Sequence, residues 1–280
     1  MPAHHADIVP ATLFYFSPPA DGSKPVNYRI PRTDGGPQTN YSSVKHILQI
    51  ENVRGKEDTY SLDVNGFQFA KHASNHKEFN DDTEIEKEYY PESVELLKKL
   101  TGATKVVLFD HTIRRRREGE DGLDPKRRAP VSLVHVDQST QAAHSRVRRH
   151  LPEEEAEERL KHRFQIINLW RPISHPALDW PLALCDYGSV NPKEDLVLVD
   201  LVFPDRIGET YGVNYNPGHK WKYLRGISTE EVVLIKCYDS IEDGSVAVFT
   251  PHTAFEDPTT PEGTVFRESI ELRALVFYDD

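Results

Sequence analysis

The sequence is poor in the residues that staple small folds. Its only cysteines, Cys185 and Cys237, stand far apart with no second Cys or His at ligand spacing. That excludes a disulfide framework and a structural zinc site and leaves both as core fillers. No apolar run approaches the roughly 20 residues that a membrane span needs. The start, MPAHHADIVP, has neither the basic opening nor the apolar stretch of a signal peptide, so the chain reads as cytoplasmic, without a membrane partner. There is no Gly-rich phosphate loop and no Gly-x-Ser-x-Gly elbow, and Cys185 has no His partner in sequence, so nucleotide-binding and hydrolase readings have little to stand on. Positive charge is also in deficit. A net charge of −11 argues against a nucleic-acid surface, although a basic region runs from Arg114 to Arg149.

The 280 residues suffice for one large core, and the chain reads as a single domain. Residues 1–40 carry Pro and Gly with little periodicity and read as an irregular N-terminal arm, of the kind that crosses a homodimer interface. Residues 41–280 hold the core. HILQIENV (46–53) and YSLDVNGFQFA (60–70) alternate as strands. DDTEIEKEYYPESVELLKKLTG has helical spacing, with Gly102 as its stop. KVVLFDHTIRR reads as a buried strand, followed by a charged loop over residues 115–128 whose interleaved Glu118, Glu120, Asp121 and Asp124 make it solvated rather than phosphate-binding. APVSLVHVDQST is predicted as a strand. LPEEEAEERLKHR, acidic at its start and basic at its end, suits a helix. FQIINLWRPI, DLVLVDLVF, KWKYLRG, EVVLIKCYDS, SVAVFTPHTAF and RESIELRALVFY complete a series of short strands. Many strands with few helices predict a mainly β fold with helical cover, a sandwich or jelly roll.

In VSLVHVDQS, a strand conformation puts Val131, Leu133, His135 and Asp137 on one face, since side chains alternate. A third ligand from a distant strand would complete two histidines and one carboxylate on one side of an iron, leaving positions open for oxygen chemistry. His252, just past an apolar run in a Thr-Pro-His-Thr segment, leads the candidates; His111, His144, His150, His162, His175 and His219 compete. A plain His-Asp pair with no metal is the alternative. In RESIELR, Arg267, Ser269, Glu271 and Arg273 share one strand face. A dicarboxylate co-substrate would explain them, because a guanidinium grips a carboxylate through paired hydrogen bonds and a hydroxyl adds another. The alternative is a solvated face with Leu272, Ala274 and Val276 turned inward.

HVDQS, FQIINLWRPI, HTAFEDP and RESIELRALVFY, supported by NGFQF and FDHTIRR, resemble the iron(II)- and 2-oxoglutarate-dependent oxygenases. More narrowly, they resemble the gibberellin-desaturase-like, cephalosporin 7α-methoxylase-related hydroxylases of secondary metabolism, over about residue 60 to the C-terminus. The resemblance implies a double-stranded β-helix (jelly roll) with Fe(II) on His135, Asp137 and His252. It also implies 2-oxoglutarate and O₂ as co-substrates, with Arg267 and Ser269 matching an Arg-x-Ser co-substrate motif and Arg273 able to share that role. A small organic metabolite would be hydroxylated or desaturated as 2-oxoglutarate yields succinate and CO₂. By the same carry-over Asn168, Trp170 and Arg171 form pocket wall, and His111 and Arg114 line the substrate side; ordinary core and surface roles are their alternative. Two other functions stay open at this point, a non-catalytic jelly-roll binding partner in a biosynthetic pair and a cupin-type metalloenzyme that does without 2-oxoglutarate.

Overall fold

The computed structural model describes residues 7–117, 119 and 128–279. Strands β1 (Ile8–Ser17), β2 (Val26–Tyr28) and β3 (Ser42–Asn52) come first. A helical turn α1 (Leu62–Asn65), strand β4 (Phe67–Lys71), a second turn α2 (Asp82–Glu84), a wider turn over Ile85–Tyr89 and helix α3 (Tyr90–Thr101) follow. Next come β5 (Lys105–Arg115), β6 (His135–Val136), helices α4 (Thr140–His150) and α5 (Glu153–Arg159), β7 (Phe164–Pro172) and β8 (Leu182–Cys185). The turn α6 (Pro192–Asp195) precedes β9 (Leu196–Val202), β10 (Ile207–Val213), β11 (Trp221–Tyr223), β12 (Glu231–Asp239), β13 (His252–Ala254) and β14 (Glu268–Phe277).

Among the described residues these strands form two sheets, nine strands in the order β1-β3-β11-β8-β13-β6-β10-β9-β2 and five in the order β4-β12-β7-β14-β5. The chain crosses repeatedly between them, which gives the jelly roll. Strand alternation assigns the two faces of the small sheet. Ile167, Leu169, Val232, Leu234, Ile270 and Leu272 turn outward and pack on Ile85, Tyr89, Leu96 and Leu97 of the helical cover. The opposite parity turns toward the large sheet. There Phe67, Trp170, Val233 and Ile235 of the small sheet pack with Leu184 of the large one.

Several local expectations give way. The supposed irregular arm contains β1, paired antiparallel with β3 from Ile8↔Glu51 to Ser17↔Ser42, with Val9, Ala11, Leu13 and Tyr15 buried at alternate positions. Pro10 masks that alternation, yet a sheet edge tolerates proline because an outward position needs no amide donor; β1 is an edge strand. Residues 8–17 of that stretch are thus paired within the chain. The predicted strand over residues 60–70 begins instead as α1, ending on Gly66 in the left-handed region (φ 87°) before β4 starts. The strand expected around His135 shrinks to two residues, with one isolated bridge from Leu133 to Phe14. The one around His252 shrinks to three. Helix α4, poor in apolar residues, was not anticipated; Ser139 caps it by accepting from the Ala142 amide at 3.1 Å. Of the charged loop, Glu118, Glu120, Asp121, Asp124, Lys126 and Arg127 lie outside the described residues.

Candidate metal centre

β6 lies between β10 and β13 in the large sheet, and its register sets His135 directly opposite His252. Two imidazoles on paired positions of neighbouring strands point to the same face, and here their ring centroids are 4.4 Å apart. Asp137, two residues on, joins them: the ligand atoms of His135, Asp137 and His252 lie within 4.8 Å of one another. Both histidines make the same second contact. Nδ1 of His135 donates to the Leu133 carbonyl at 2.8 Å, and Nδ1 of His252 donates to the Thr250 carbonyl at 3.0 Å. That keeps a proton on each Nδ1 and makes Nε2 the ligating nitrogen once the ring is neutral, the usual arrangement behind metal-ligating imidazoles.

The carboxylate is steadied from the small sheet. Asn168 of β7 donates to Oδ2 of Asp137 at 2.7 Å, Cys237 Sγ lies 3.8 Å from the same oxygen, and Arg273 Nε stands 3.8 Å away. Burial opposes ionisation of Asp137, but the His135 hydrogen bond, the His252 charge and Arg273 outweigh it and hold the carboxyl well below its ordinary pKa. Burial, with the neighbouring His135 charge, lowers the pKa of His252. Asp137 is thus biased toward its anion and His252 toward its neutral form, the forms that bind a metal, whereas at His135 the Asp137 contact outweighs burial and raises the pKa, so that ring gives up a proton when a metal binds.

Beside it, the interior face of β14 carries the polar residues read from the sequence. Ser269, Glu271 and Arg273 pair with Pro172, Trp170 and Asn168 of β7, so this face looks onto the metal centre rather than solvent. Arg267, 2% exposed, and Ser269, 1% exposed, are sealed in. The Arg267 guanidinium lies 5.6 Å from the Trp170 ring centre and donates through Nη1 to the Trp180 carbonyl, while Asp179 accepts from its main-chain amide at 3.0 Å. Its Nε and the Ser269 hydroxyl have no partner among the described residues. Burial, and then the nearby Arg114 charge, push the Arg267 pKa down to about 9. Arg273 is placed differently. It donates to Glu271 at 2.6 Å and to Asp110 and Thr112 at 3.0 Å. Despite burial, Glu271 first and then Asp137 and Asp110 raise its pKa.

His135, Asp137, His252, Trp170, Arg114, Arg267, Glu271 and Arg273 line one cavity of about 40 Å³. Asn168 reaches it through Asp137. Two expected wall residues do not belong to it. His111 faces the helical cover, with Tyr90 Oη 2.9 Å from Nδ1 and Asp82 3.2 Å from Nε2. Arg171 also turns to that side, against the Tyr89 ring at 5.5 Å. Parity is the reason. Residues 111 and 114, or 170 and 171, cannot share a face of one regular strand. Glu271, a buried partner of Arg273, shares the parity of its neighbours, but nothing in the sequence marks that pairing. Asp179 and Trp180 hold Arg267 from a segment with no periodic signal.

With this geometry in view, the comparisons with known proteins converge. A family profile described as an oxidoreductase/YMDC permease-like domain matches residues 13–277. A hydroxylase/desaturase of Cercospora beticola is 35% identical over 91% of this chain and 86% of the relative. An Fe(II)/2-oxoglutarate-dependent dioxygenase of Aspergillus novofumigatus is 30% identical over 95% of each. The chain belongs to the Fe(II)/2-oxoglutarate-dependent hydroxylase/desaturase family. A solved iron- and α-ketoglutarate-dependent endoperoxidase superimposes with a TM-score of 0.87 at 27% identity, over 99% of this chain and 100% of that one. The protein is accordingly an Fe(II)/2-oxoglutarate-dependent dioxygenase of secondary metabolism that uses Fe²⁺, 2-oxoglutarate and O₂. The residues present fit those groups. Two imidazoles that ligate through Nε2 and one carboxylate suit Fe(II), and the orphaned donors of Arg267 and Ser269 suit the far carboxylate of a dicarboxylate. In this dioxygenase no helix among the described residues is long and apolar enough to cross a membrane.

Proposed function

We propose that His135, Asp137 and His252 hold the iron of this dioxygenase and that Arg267, helped by Ser269, holds the distal carboxylate of 2-oxoglutarate. The observation that carries the second assignment is the pair of buried donors without a partner among the described residues, Arg267 Nε from the wall of the cavity that contains the ligand set and Ser269 Oγ two residues on along the same face. A buried donor without an acceptor is costly, and a carboxylate here would satisfy both. Arg273 is already committed to Glu271 and Asp110, so its role is to neutralise the acidic side of the cavity and restrain Asp137. Iron with bound 2-oxoglutarate supplies oxidative decarboxylation coupled to C–H oxidation. Around it, Trp170 and Leu182 exclude water, Asn168 orients the Asp137 carboxylate, and the Leu133 and Thr250 carbonyls hold both imidazoles as Nδ1–H tautomers. The substrate is a small organic metabolite that undergoes hydroxylation or desaturation.

The same reading takes the chain as one oxygenase domain, supported by a core cluster that draws on both sheets. It places the enzyme in the cytoplasm, supported by two cysteines that are buried and unpaired. The deciding experiment follows 2-oxoglutarate-dependent succinate formation with Fe(II) and O₂ in the wild type, Asp137→Ala and Arg267→Gln, alongside anaerobic titration of metal and 2-oxoglutarate. Asp137→Ala should abolish turnover and metal binding, and Arg267→Gln should keep the metal and lose 2-oxoglutarate. Retention of 2-oxoglutarate affinity in Arg267→Gln refutes the co-substrate assignment.

A further inference from the structure

Strand β6 continues through Asp137 directly into helix α4, and β6 pairs with β10, so the segment that carries Asp137 borders a cleft between α4 and the β9–β10 hairpin. Ser139, the cap of α4, donates its hydroxyl to Glu209 of β10 at 2.7 Å and ties the two walls together. The cleft holds a cavity of about 120 Å³, and Asp137 is a wall residue both of this cavity and of the metal cavity. At about 40 Å³, the metal cavity has no room for an organic substrate beside 2-oxoglutarate, so the substrate has to reach the iron from an adjoining space.

The two walls differ in character. On α4 the lining residues are Gln141, Ala142, Ser145, Arg146 and Arg149, spaced three and four apart and therefore on one face of the helix, while Ala143 and Val147 occupy its buried side. The hairpin contributes Leu201, Phe203, Arg206 and Ile207, and a bond from the Phe203 amide to the Arg206 carbonyl at 2.9 Å closes its turn. Ile207 is 67% exposed, a large apolar side chain left uncovered.

Three guanidiniums and two carboxylates, Asp137 and Glu209, stand on this lining. Asp137 belongs to the metal centre, and Glu209 also acts on Lys24. Arg206 pairs with Asp205 at 3.0 Å and lies 3.9 Å from the Phe203 ring centre. Arg146 lies over the Phe109 ring at 5.2 Å, and among the described residues neither Arg146 nor Arg149 has an ion-pair partner. Burial lowers the Arg146 pKa; Asp110, itself bound by Arg273 at 3.0 Å, opposes this, and the charges of Arg149, Arg273 and Arg206 add to it. The arginines of α4 and of the hairpin therefore act on one another, and on Arg273, whose Nε is 3.8 Å from Asp137. A lone surface arginine is simply solvated, but a group of them on a cavity beside an iron ligand raises the local concentration of anions.

We infer that this cleft is the substrate site of the dioxygenase and that it takes an organic acid, with Arg146 and Arg149 holding the carboxylate and Leu201, Phe203 and Ile207 covering an apolar body. The inference rests on the assignment of iron to His135, Asp137 and His252, and it narrows the substrate from a small organic metabolite to one with an anionic group. Guanidiniums grip paired carboxylate oxygens. The helix rises about 1.5 Å per residue, which puts Arg149 about 12 Å along α4 from Gln141. An acid held at that end presents to the metal a carbon several bonds from its carboxylate.

Matched probes test this: octanoate with octanamide, and cinnamate with cinnamamide, titrated calorimetrically into the anaerobic Fe(II) enzyme with saturating 2-oxoglutarate. At least one acid should bind saturably and about tenfold or more tighter than its amide. Arg146→Gln should remove most of that preference and Arg149→Glu should reduce it, with metal and 2-oxoglutarate affinities unchanged in both. The proposal is overturned if neither acid binds more tightly than its amide, or if both variants keep the wild-type preference. Arg149 is exposed, so Arg149→Glu decides where Arg146→Gln does not fold. Titrations without probe separate the two readings: a wild type that binds neither Fe(II) nor 2-oxoglutarate sinks the metal-centre assignment, whereas normal binding of both with no preference for the acids sinks this proposal alone.

Discussion

Asn168 donates its side-chain amide to Oδ2 of Asp137 at 2.7 Å, so β7 of the small sheet orients a carboxylate that the large sheet delivers. That bond leaves Oδ1, the oxygen 3.4 Å from His135 Nε2, turned toward the two imidazoles. Outer partners of this kind are worth about 10- to 100-fold in metal affinity. Asn168→Ala is therefore expected to bind Fe(II) about 10- to 100-fold more weakly while remaining folded, as read by anaerobic metal titration. Unchanged affinity would show that Asp137 needs no support from β7.

The two arginines of β14 and its approach should separate cleanly. Arg267 has a free donor and a pKa pushed down to about 9 by burial, the state of a cation waiting for an anion. A hydrogen bond to a charged group is worth about 1.5–3 kcal/mol, so Arg267→Gln should raise the KM for 2-oxoglutarate about 10- to 100-fold. Arg273→Gln should act through Glu271 and Asp137, weakening metal binding more than 2-oxoglutarate binding. The reverse pattern in steady-state and titration data would exchange their roles.

Why some of this could be read from sequence is a matter of period. Strict strand alternation puts the polar residues at 267, 269, 271 and 273 on one face opposite Ile270, Leu272 and Ala274, a pattern that a solvated face shares; the burial of Arg267, Ser269 and Glu271 themselves is what makes it an interior face. His135 and Asp137 obey the same rule even though β6 is only two residues long. The same rule, applied to His111 against Arg114 and to Arg171 against Trp170, would have sent His111 and Arg171 to the outer face. What no periodicity encodes is support from irregular chain: Asp179 and Trp180 hold Arg267, and Trp180 adopts φ 44° to do so. Strand β1 was hidden by Pro10, and α4 by a lack of apolar residues beyond Ala143 and Val147 on its buried side.

Gly66 links a turn to the metal ligand. Its φ is 87°, and a Cβ there would come 2.5 Å from Thr250 Oγ1 and 2.8 Å from the Phe249 carbonyl oxygen. Thr250 in turn donates its hydroxyl to the Gly66 carbonyl and accepts from His252 Nδ1. Gly66→Ala adds left-handed strain of about 1–2 kcal/mol to an overpacking cost of about 1–3 kcal/mol. Denaturant unfolding should show a loss of about 2–5 kcal/mol, together with weaker metal binding as the Thr250 carbonyl shifts. A near-neutral result would mean that the 249–250 segment moves without cost and does not fix His252.

Stability should also carry a histidine signature far from the iron. His219 lies in a chain that is complete only when its ring is neutral. Trp221 Nε1 donates to Tyr15 Oη at 2.8 Å, the Tyr15 hydroxyl donates to Nδ1 at 3.0 Å, and Nε2–H donates to Asp195 at 3.0 Å. A second proton on Nδ1 would leave the Tyr15 hydroxyl without its acceptor. Burial lowers the His219 pKa in the fold, against the opposing pull of Asp195. A histidine with a lowered folded pKa binds its proton more readily in the unfolded chain, so its contribution is fully present above the unfolded value near 6.5. It is lost as pH falls from there through the folded value. Denaturant unfolding of the wild type should therefore show stability declining below about pH 6.5, and His219→Gln, less stable at neutral pH, should lose less on the same acidification. Parallel pH profiles for the two proteins would exclude His219 as the titrating group. Because the chain joins Tyr15 of β1 to Trp221 of β11, hydrogen exchange at low pH should rise first at the edge of the large sheet where β1 pairs with β3, and iron binding by His135, Asp137 and His252 should be spared at the onset.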